Sequence, residues 1–107
     1  MCLAANLSGK AISISKTTAP HAVSYPFTSI YNISHGHAVS LTLNKFLKFN
    51  YKHIKESKSN FNLLDRYKIM FDLSKTKDII SFDNFLVELK AKANLENNFN
   101  KLGINIE

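Results

Sequence analysis

The sequence has little of what marks secreted, disulfide-stabilised or membrane-spanning proteins. Its 107 residues include one cysteine, Cys2, so no internal disulfide can form and nothing points to an oxidising compartment. No apolar run reaches the roughly 18 residues that a membrane-spanning helix needs. The N-terminus lacks a basic region ahead of an apolar run, so a secretory signal is not indicated. We therefore expect a cytoplasmic protein.

Helix-breaking residues are also scarce. There are three glycines and two prolines, and both prolines, Pro20 and Pro26, lie near the beginning of the chain. A long tract without such residues favours helices, and no segment alternates convincingly between apolar and polar residues as a strand would. The apolar spacing predicts an all-α bundle of about five helices, over roughly 2–14, 18–31, 35–57, 61–73 and from 82 onward. The tail after Glu96 is expected to be irregular.

Helix starts and buried faces follow from the same pattern. We expect Thr17 or Thr18, Ser34 and Ser81 to cap the second, third and fifth helices, because hydroxyl oxygens accept from free backbone N–H groups. Pro26 should kink or break the second helix. The third helix is predicted to bury Val39, Leu43, Phe46, Leu47, Tyr51 and Ile54. The apolar residues predicted for the fourth and fifth helices are Leu64, Tyr67, Ile69, Met70, Leu73, Phe82, Phe85, Leu86, Leu89 and Ala93.

Acidic residues are absent from the first half of the chain. Residues 1–55 contain no Asp or Glu, and the net charge of the whole sequence is +6. Every basic residue except Arg66 is a lysine, and the lysines of the third helix follow the spacing of its solvent face. Nucleic-acid binders more often concentrate Arg and Lys in a stripe with stacking aromatics. We therefore expect no nucleic-acid partner.

The first segment is small and apolar. Four of its residues share one helix face (Leu3, Leu7, Ala11 and Ile14), and small residues beside them would let another helix approach closely. Such a segment is predicted to be an interior element rather than an exposed terminus.

Two histidines, His21 and His35, are the strongest candidates for a functional site. Imidazole binds transition metals, but such sites need three or four protein ligands. His37 lies two residues after His35 and would point away from it on a helix, which makes it a poor third ligand. Residues 1–55, which cover nearly all of the first three predicted helices, supply no carboxylate. On spacing alone, ordinary buried imidazoles are the more usual interpretation, and a metal site would need another segment to complete it.

The flanking residues resemble the iron-containing (group III) alcohol dehydrogenase family. The similarity covers about residues 5–50: a His, a helix, a turn into His35-Gly36-His37-Ala38, and the run that follows. In that family the first His and the His of the His-Gly pair bind the metal, and His21 and His35 match them with the same separation. The resemblance implies Fe²⁺ (or Zn²⁺), NAD(P)H, and a small aldehyde or alcohol as substrate.

Departures from the family pattern suggest a particular branch. Many members carry a His where this chain has Tyr25, and His37 stands where the residue is often apolar. The combined pattern is most similar to the branch that reduces phosphonoacetaldehyde. The resemblance to that branch makes Lys16 and Tyr25, with Lys10 as a further cation, candidates to contact a phosphonate substrate. Solvent exposure is the more usual interpretation for each lysine. His37 becomes a candidate catalytic residue on the cavity wall or a proton path.

The resemblance also implies parts that this sequence lacks. The family has an N-terminal dinucleotide-binding domain, whose glycine-rich turn cradles the cofactor, and two further metal ligands. Here the glycines are isolated. We expect residues 1–107 to form one metal-binding helical domain without the dinucleotide-binding domain, and to be inactive alone. The alternatives are a non-catalytic helical interaction module, the C-terminal half of a split enzyme that binds a separate N-terminal half, and a homo-oligomer.

Overall fold

A computed structural model describes residues 1–105, and regular structure within that range is exclusively helical. The α-helices are α1 (Cys2–Ser15), α2 (Ala19–Tyr31), α3 (His35–Lys52), α4 (Leu63–Ser74) and α5 (Ile79–Lys92), and a short 3-10 helix covers Ile54–Glu56. The prediction of an all-α bundle of about five helices is confirmed. Among these helices none is both long and apolar enough to cross a membrane.

The starts of α2 and α3 lie where the sequence predicts them. Thr18 is the N-cap of α2 and Ser34 that of α3, although neither side chain accepts a capping hydrogen bond. We predicted a kink or a break at Pro26. α2 continues through this residue, so the break is wrong, and the kink stays a prediction. α2 ends at Tyr31, and the next residue, Asn32, has a left-handed backbone (φ 53°) that turns the chain toward α3.

Two other helix boundaries differ from the prediction. α3 ends at Lys52, and the chain tightens into the 3-10 helix instead of continuing to 57. The cap of α5 is Asp78 rather than Ser81. The Asp78 carboxylate accepts from the Ser81 backbone N at 2.8 Å, while the Ser81 hydroxyl accepts from the Asp78 N at 3.1 Å. This reciprocal capping box satisfies backbone donors that Ser81 alone would leave free.

The core consists of two clusters. One lies where α2, α3 and the tail meet and contains the buried residues Ile33, Ala38, Leu41 and Ile104. The other joins α3, α4 and α5 around Tyr67, Phe71 and Phe82. The tail after Glu96 forms turns rather than a helix, yet it provides Ile104, which is only 4% exposed.

Several residues predicted to face inward are less buried than expected. The predicted stripe of α3 is half-buried, and the buried positions of that helix are Ala38, Leu41, Thr42 and Asn44. Both α2 and α5 pack against α3. On α4 and α5 the exposed residues among those predicted are Leu64, Ile69, Leu73, Phe85, Leu89 and Ala93.

α1 is the least embedded helix. It has no buried residue, and Leu3 and Ile14 are 72% and 86% exposed. Residues 1–105 therefore do not bury this segment, and the prediction that residues 2–14 form an interior element stays a prediction that requires other polypeptide. The apolar face of α1 exists, but residues 1–105 do not cover it.

Candidate metal site

The turn between α2 and α3 brings two imidazoles together. His21 is half-buried in the first turn of α2, and His35 is the exposed first residue of α3. Their ring centroids lie 5.4 Å apart with 53° between the ring planes. Two residues fourteen positions apart in sequence thus become direct neighbours, as their chemistry requires if they are to share a ligand.

The separation of the rings suits a shared metal ion. With metal–nitrogen bonds of about 2.0–2.1 Å, two neighbouring imidazole ligands place their ring centroids roughly 4.5–5.3 Å apart. The observed distance of 5.4 Å is just above that range. The rings would therefore have to move slightly closer for one ion to bind both.

Tyr25 extends this pair. It lies one helical turn after His21, and its ring stacks on His35 with centroids 6.1 Å apart and 26° between the planes. The Tyr25 side chain is 61% exposed, so its hydroxyl can reach a molecule that approaches from solvent. The structure thus groups His21, Tyr25 and His35 at one end of the α2–α3 pair.

The other candidates lie apart from this group. The Nε2 atom of half-buried His37 is 2.6 Å from the backbone carbonyl oxygen of Glu96, so it must carry the proton and donate to the tail. Lys10 and Lys16 are exposed. His53 is half-buried, and its Nδ1 lies 2.9 Å from the Phe49 carbonyl oxygen.

The donor set is two imidazoles without a carboxylate. Across residues 1–105, no group of three or more His, Cys, Asp or Glu side chains is placed to hold a metal ion. Glu96 is engaged elsewhere, because its carboxylate accepts from the backbone N of Asn97 and Asn98 and pairs with Lys101 at 3.5 Å. Those contacts lower the pKa of Glu96. Two imidazoles are half the number of protein ligands in a conventional four-ligand site.

A second polar cluster, between α3 and α5, was not predicted from the sequence. Asn44 is only 8% exposed, and its Nδ2 donates to the Asp83 carboxylate at 2.6 Å. Lys48 pairs with the other carboxylate oxygen, also at 2.6 Å. Burial alone would raise the pKa of Asp83, but the hydrogen bonds from Lys48 and Asn44 and the nearby lysine charges lower it. The one sign of this cluster in the sequence is Asn44, a polar residue that stands among apolar residues of the third helix.

Comparisons with known proteins agree with this helical architecture. The whole chain, residues 1–107, matches the family described as "Fe-containing alcohol dehydrogenase family, C-terminal". Over 48 residues it is 44% identical to the phosphonoacetaldehyde reductase of Streptomyces viridochromogenes, a stretch that covers 45% of this chain and 12% of that protein. No solved structure matches the chain. Because the family match extends over every residue, this protein belongs to the Fe-containing alcohol dehydrogenase family and corresponds to its C-terminal, helical part.

Proposed function

We propose that His21 and His35 are two ligands of a divalent metal ion, Fe²⁺ or Zn²⁺, in an NAD(P)H-linked alcohol dehydrogenase or aldehyde reductase. The observation that carries this proposal is the pairing of their rings, 5.4 Å apart, from two different helices. Membership of an iron-containing family supports it. Two imidazoles fit such an ion in donor type, because iron and zinc both accept nitrogen ligands.

The remaining ligands would come from polypeptide other than residues 1–105. Hard or borderline ions usually take at least one oxygen ligand, and the two histidines have no neighbouring carboxylate in that range. A metal bound there supplies Lewis-acid stabilisation of negative charge on a carbonyl or alkoxide oxygen. A nicotinamide cofactor is expected only for an enzyme that also has a dinucleotide-binding domain.

The chain's own residues would hold and orient the substrate. Tyr25 restricts the orientation of the His35 ring by stacking on it, and its hydroxyl can donate a hydrogen bond to a substrate oxygen. Lys16 follows α1, five residues before His21, and offers a cation for an anionic substrate group. For His37 the bond to Glu96 supports a structural role, and a catalytic role stays a prediction.

The substrate class is a small aldehyde or alcohol, and the specific candidate is an aldehyde that carries a phosphonate group. Support comes from the stretch that is 44% identical to a phosphonoacetaldehyde reductase. That stretch covers only 12% of the relative, so the activity of the whole relative is carried over here as a proposal. The proposal retains a cytoplasmic location.

We expect negligible activity from the 107 residues alone, since their three glycines form no phosphate-cradling turn. The purified chain, supplied with Fe²⁺, NADPH and phosphonoacetaldehyde, should not turn over; measurable NADPH oxidation would contradict that expectation. The metal site is tested separately by NMR of the imidazole signals during a Zn²⁺ titration. His21 and His35 should shift first and together, and a first response at His53 would contradict the site.

A second proposal concerns α1 as an interaction surface. Its exposed Leu3, Leu7 and Ile14 form an apolar face that can pack against the rest of a split enzyme or against a second copy of this chain. Sedimentation of the chain at increasing protein concentration shows whether it binds a second copy of itself. Association that Leu7→Lys abolishes supports a homo-oligomer, whereas a wild-type chain that stays monomeric rejects it and leaves a separate N-terminal half as the partner.

A further inference from the structure

A basic groove lies between α3, α5 and the tail, apart from the two imidazoles. Its volume is about 490 Å³, within the range of small-molecule sites. Three lysines, Lys45, Lys48 and Lys90, line it together with a single carboxylate, that of Asp83. Three ammonium groups against one carboxylate leave two positive charges in the groove.

The carboxylate of Asp83 is already hydrogen-bonded within the protein, so its repulsion of an incoming anion is reduced. Both oxygens of Asp83 accept short hydrogen bonds, one from Asn44 and one from Lys48, each at 2.6 Å. Lys48 lines the groove, its side chain is 46% exposed, and Asp83 uses one of the three N–H donors of its ammonium group. Asp83 therefore fixes Lys48 in position while neutralising only one charge.

Lys90 is held at the inner side of the groove. Its Nζ donates to the Ser40 carbonyl oxygen at 2.9 Å, which uses one of its three N–H donors. Burial lowers the pKa of Lys90, and the Asp83 charge opposes that shift only in part. A second negative group beside Lys90 would offset the cost of keeping its charge away from water.

The outer rim combines a cation with an apolar wall. The Nζ of Lys45 lies 5.6 Å from the centre of the Phe99 ring, an arrangement that positions the ammonium by cation–π attraction. Phe99 and Val87 provide carbon surface beside the charged groups. The groove can therefore contact an anionic group and an attached organic group at the same time.

This groove is distinct from the imidazole pair. Asn44 follows His35 by nine residues on α3, which at 3.6 residues per turn is two and a half turns. Its side chain therefore leaves the opposite side of the helix, roughly 13 Å further along the axis. A ligand in the groove would not compete with a metal held by His21 and His35.

We propose that this groove binds a phosphate dianion, either free or as the phosphoryl group of a small phosphomonoester. Three amines from two helices converge on it, and charge-assisted hydrogen bonds to phosphate oxygens are the strongest that such groups make. The two uncompensated positive charges match the two negative charges of the ligand. The proposal does not depend on metal binding or on dehydrogenase activity.

The test is an NMR titration of the chain with inorganic phosphate at constant ionic strength. We expect saturable amide shifts in α3, α5 and the tail, and affinity reduced by about tenfold or more in Lys45→Gln/Lys90→Gln. Lys58→Gln/Lys68→Gln removes two exposed lysines outside the groove, which is the same change of net charge as in the double variant, and should bind as the wild type does. Equal losses in the control, or shifts that do not saturate, would overturn the site.

Two further measurements make the test complete. Lys90 contributes a hydrogen bond to the fold, so the single variant Lys45→Gln, at an exposed position, gives the result if the double variant loses helicity in circular dichroism. Phenyl phosphate distinguishes the two ligand sources. Tighter binding than inorganic phosphate assigns the groove to phosphomonoesters with an apolar group, and equal affinity assigns it to free phosphate.

Discussion

The Nε2 atom of His37 lies 2.6 Å from the backbone carbonyl oxygen of Glu96, 59 residues further along the chain. His35, two residues earlier, instead contacts His21 of α2. Two residues correspond to roughly 200° of rotation on an α-helix, so the two side chains leave α3 on opposite sides. One histidine therefore belongs to the candidate metal site, while the other fastens the tail to the bundle.

The first prediction concerns that fastening. His37→Ala should lower the free energy of unfolding by about 1 kcal/mol, because it removes a hydrogen bond between α3 and the tail. Urea denaturation measures the change. His37→Gln keeps an amide donor and should recover part of the loss. Unchanged stability in the alanine variant would show that the bond to Glu96 contributes nothing.

The tail should also matter through its buried side chain. Ile104 is 4% exposed and contacts the cluster of Ile33, Ala38 and Leu41. Ile104→Ala should lower the free energy of unfolding by about 2–4 kcal/mol through lost burial and the cavity that remains. Ile80, 68% exposed on α5, is the matched control, and its alanine variant should change stability by less than about 0.5 kcal/mol. Similar losses at both positions would contradict the packed tail.

Asp83 gives a prediction for pH. Its pKa is lower in the folded chain than its usual value near 4, so the ionised carboxylate stabilises the fold above that pH. The contribution should be lost as the pH falls through the lowered pKa. Asp83→Asn should cost roughly 1 kcal/mol or less at neutral pH, since solvent screens the half-exposed Lys48.

The stability difference between wild type and Asp83→Asn should therefore shrink below about pH 4. Thermal unfolding followed by circular dichroism between pH 2 and pH 7 measures it. Asp72→Asn, at an exposed position on α4, serves as the control and should show a smaller difference at every pH. A difference that stays constant across the range would mean that the carboxylate charge does not stabilise the fold.

Much of the fold follows from local sequence signals. Apolar spacing and caps identify the helices, and Thr18 and Ser34 mark the starts of α2 and α3 as predicted. The prediction of Ser81 as the cap of α5 is wrong, because Asp78 can also cap a helix. Only the reciprocal bonds in three dimensions show that Asp78 takes the cap position and Ser81 the third residue of the helix.

Long-range contacts could not be predicted in the same way. The tail after Glu96 has no periodic pattern, so nothing local indicates that Ile104 enters the core 66 positions after Ala38. The burial of Asn44 depends on Asp83 from another helix, and neither residue reveals its partner in sequence. His21 and His35 could be singled out because the residues around them resemble a known family, whereas their ring separation came only from the structure.

The most direct test of the account is Ni²⁺ binding by the chain, measured calorimetrically in a double-mutant cycle of His21→Ala and His35→Ala. Ni²⁺ binds imidazole strongly enough to report on an incomplete ligand set. If the two rings share one ion, each single variant should lose about tenfold or more in affinity, and the double variant little more than either. His53→Ala should bind as the wild type does. Losses that are small and additive, or equal in His53→Ala, would contradict a shared metal site.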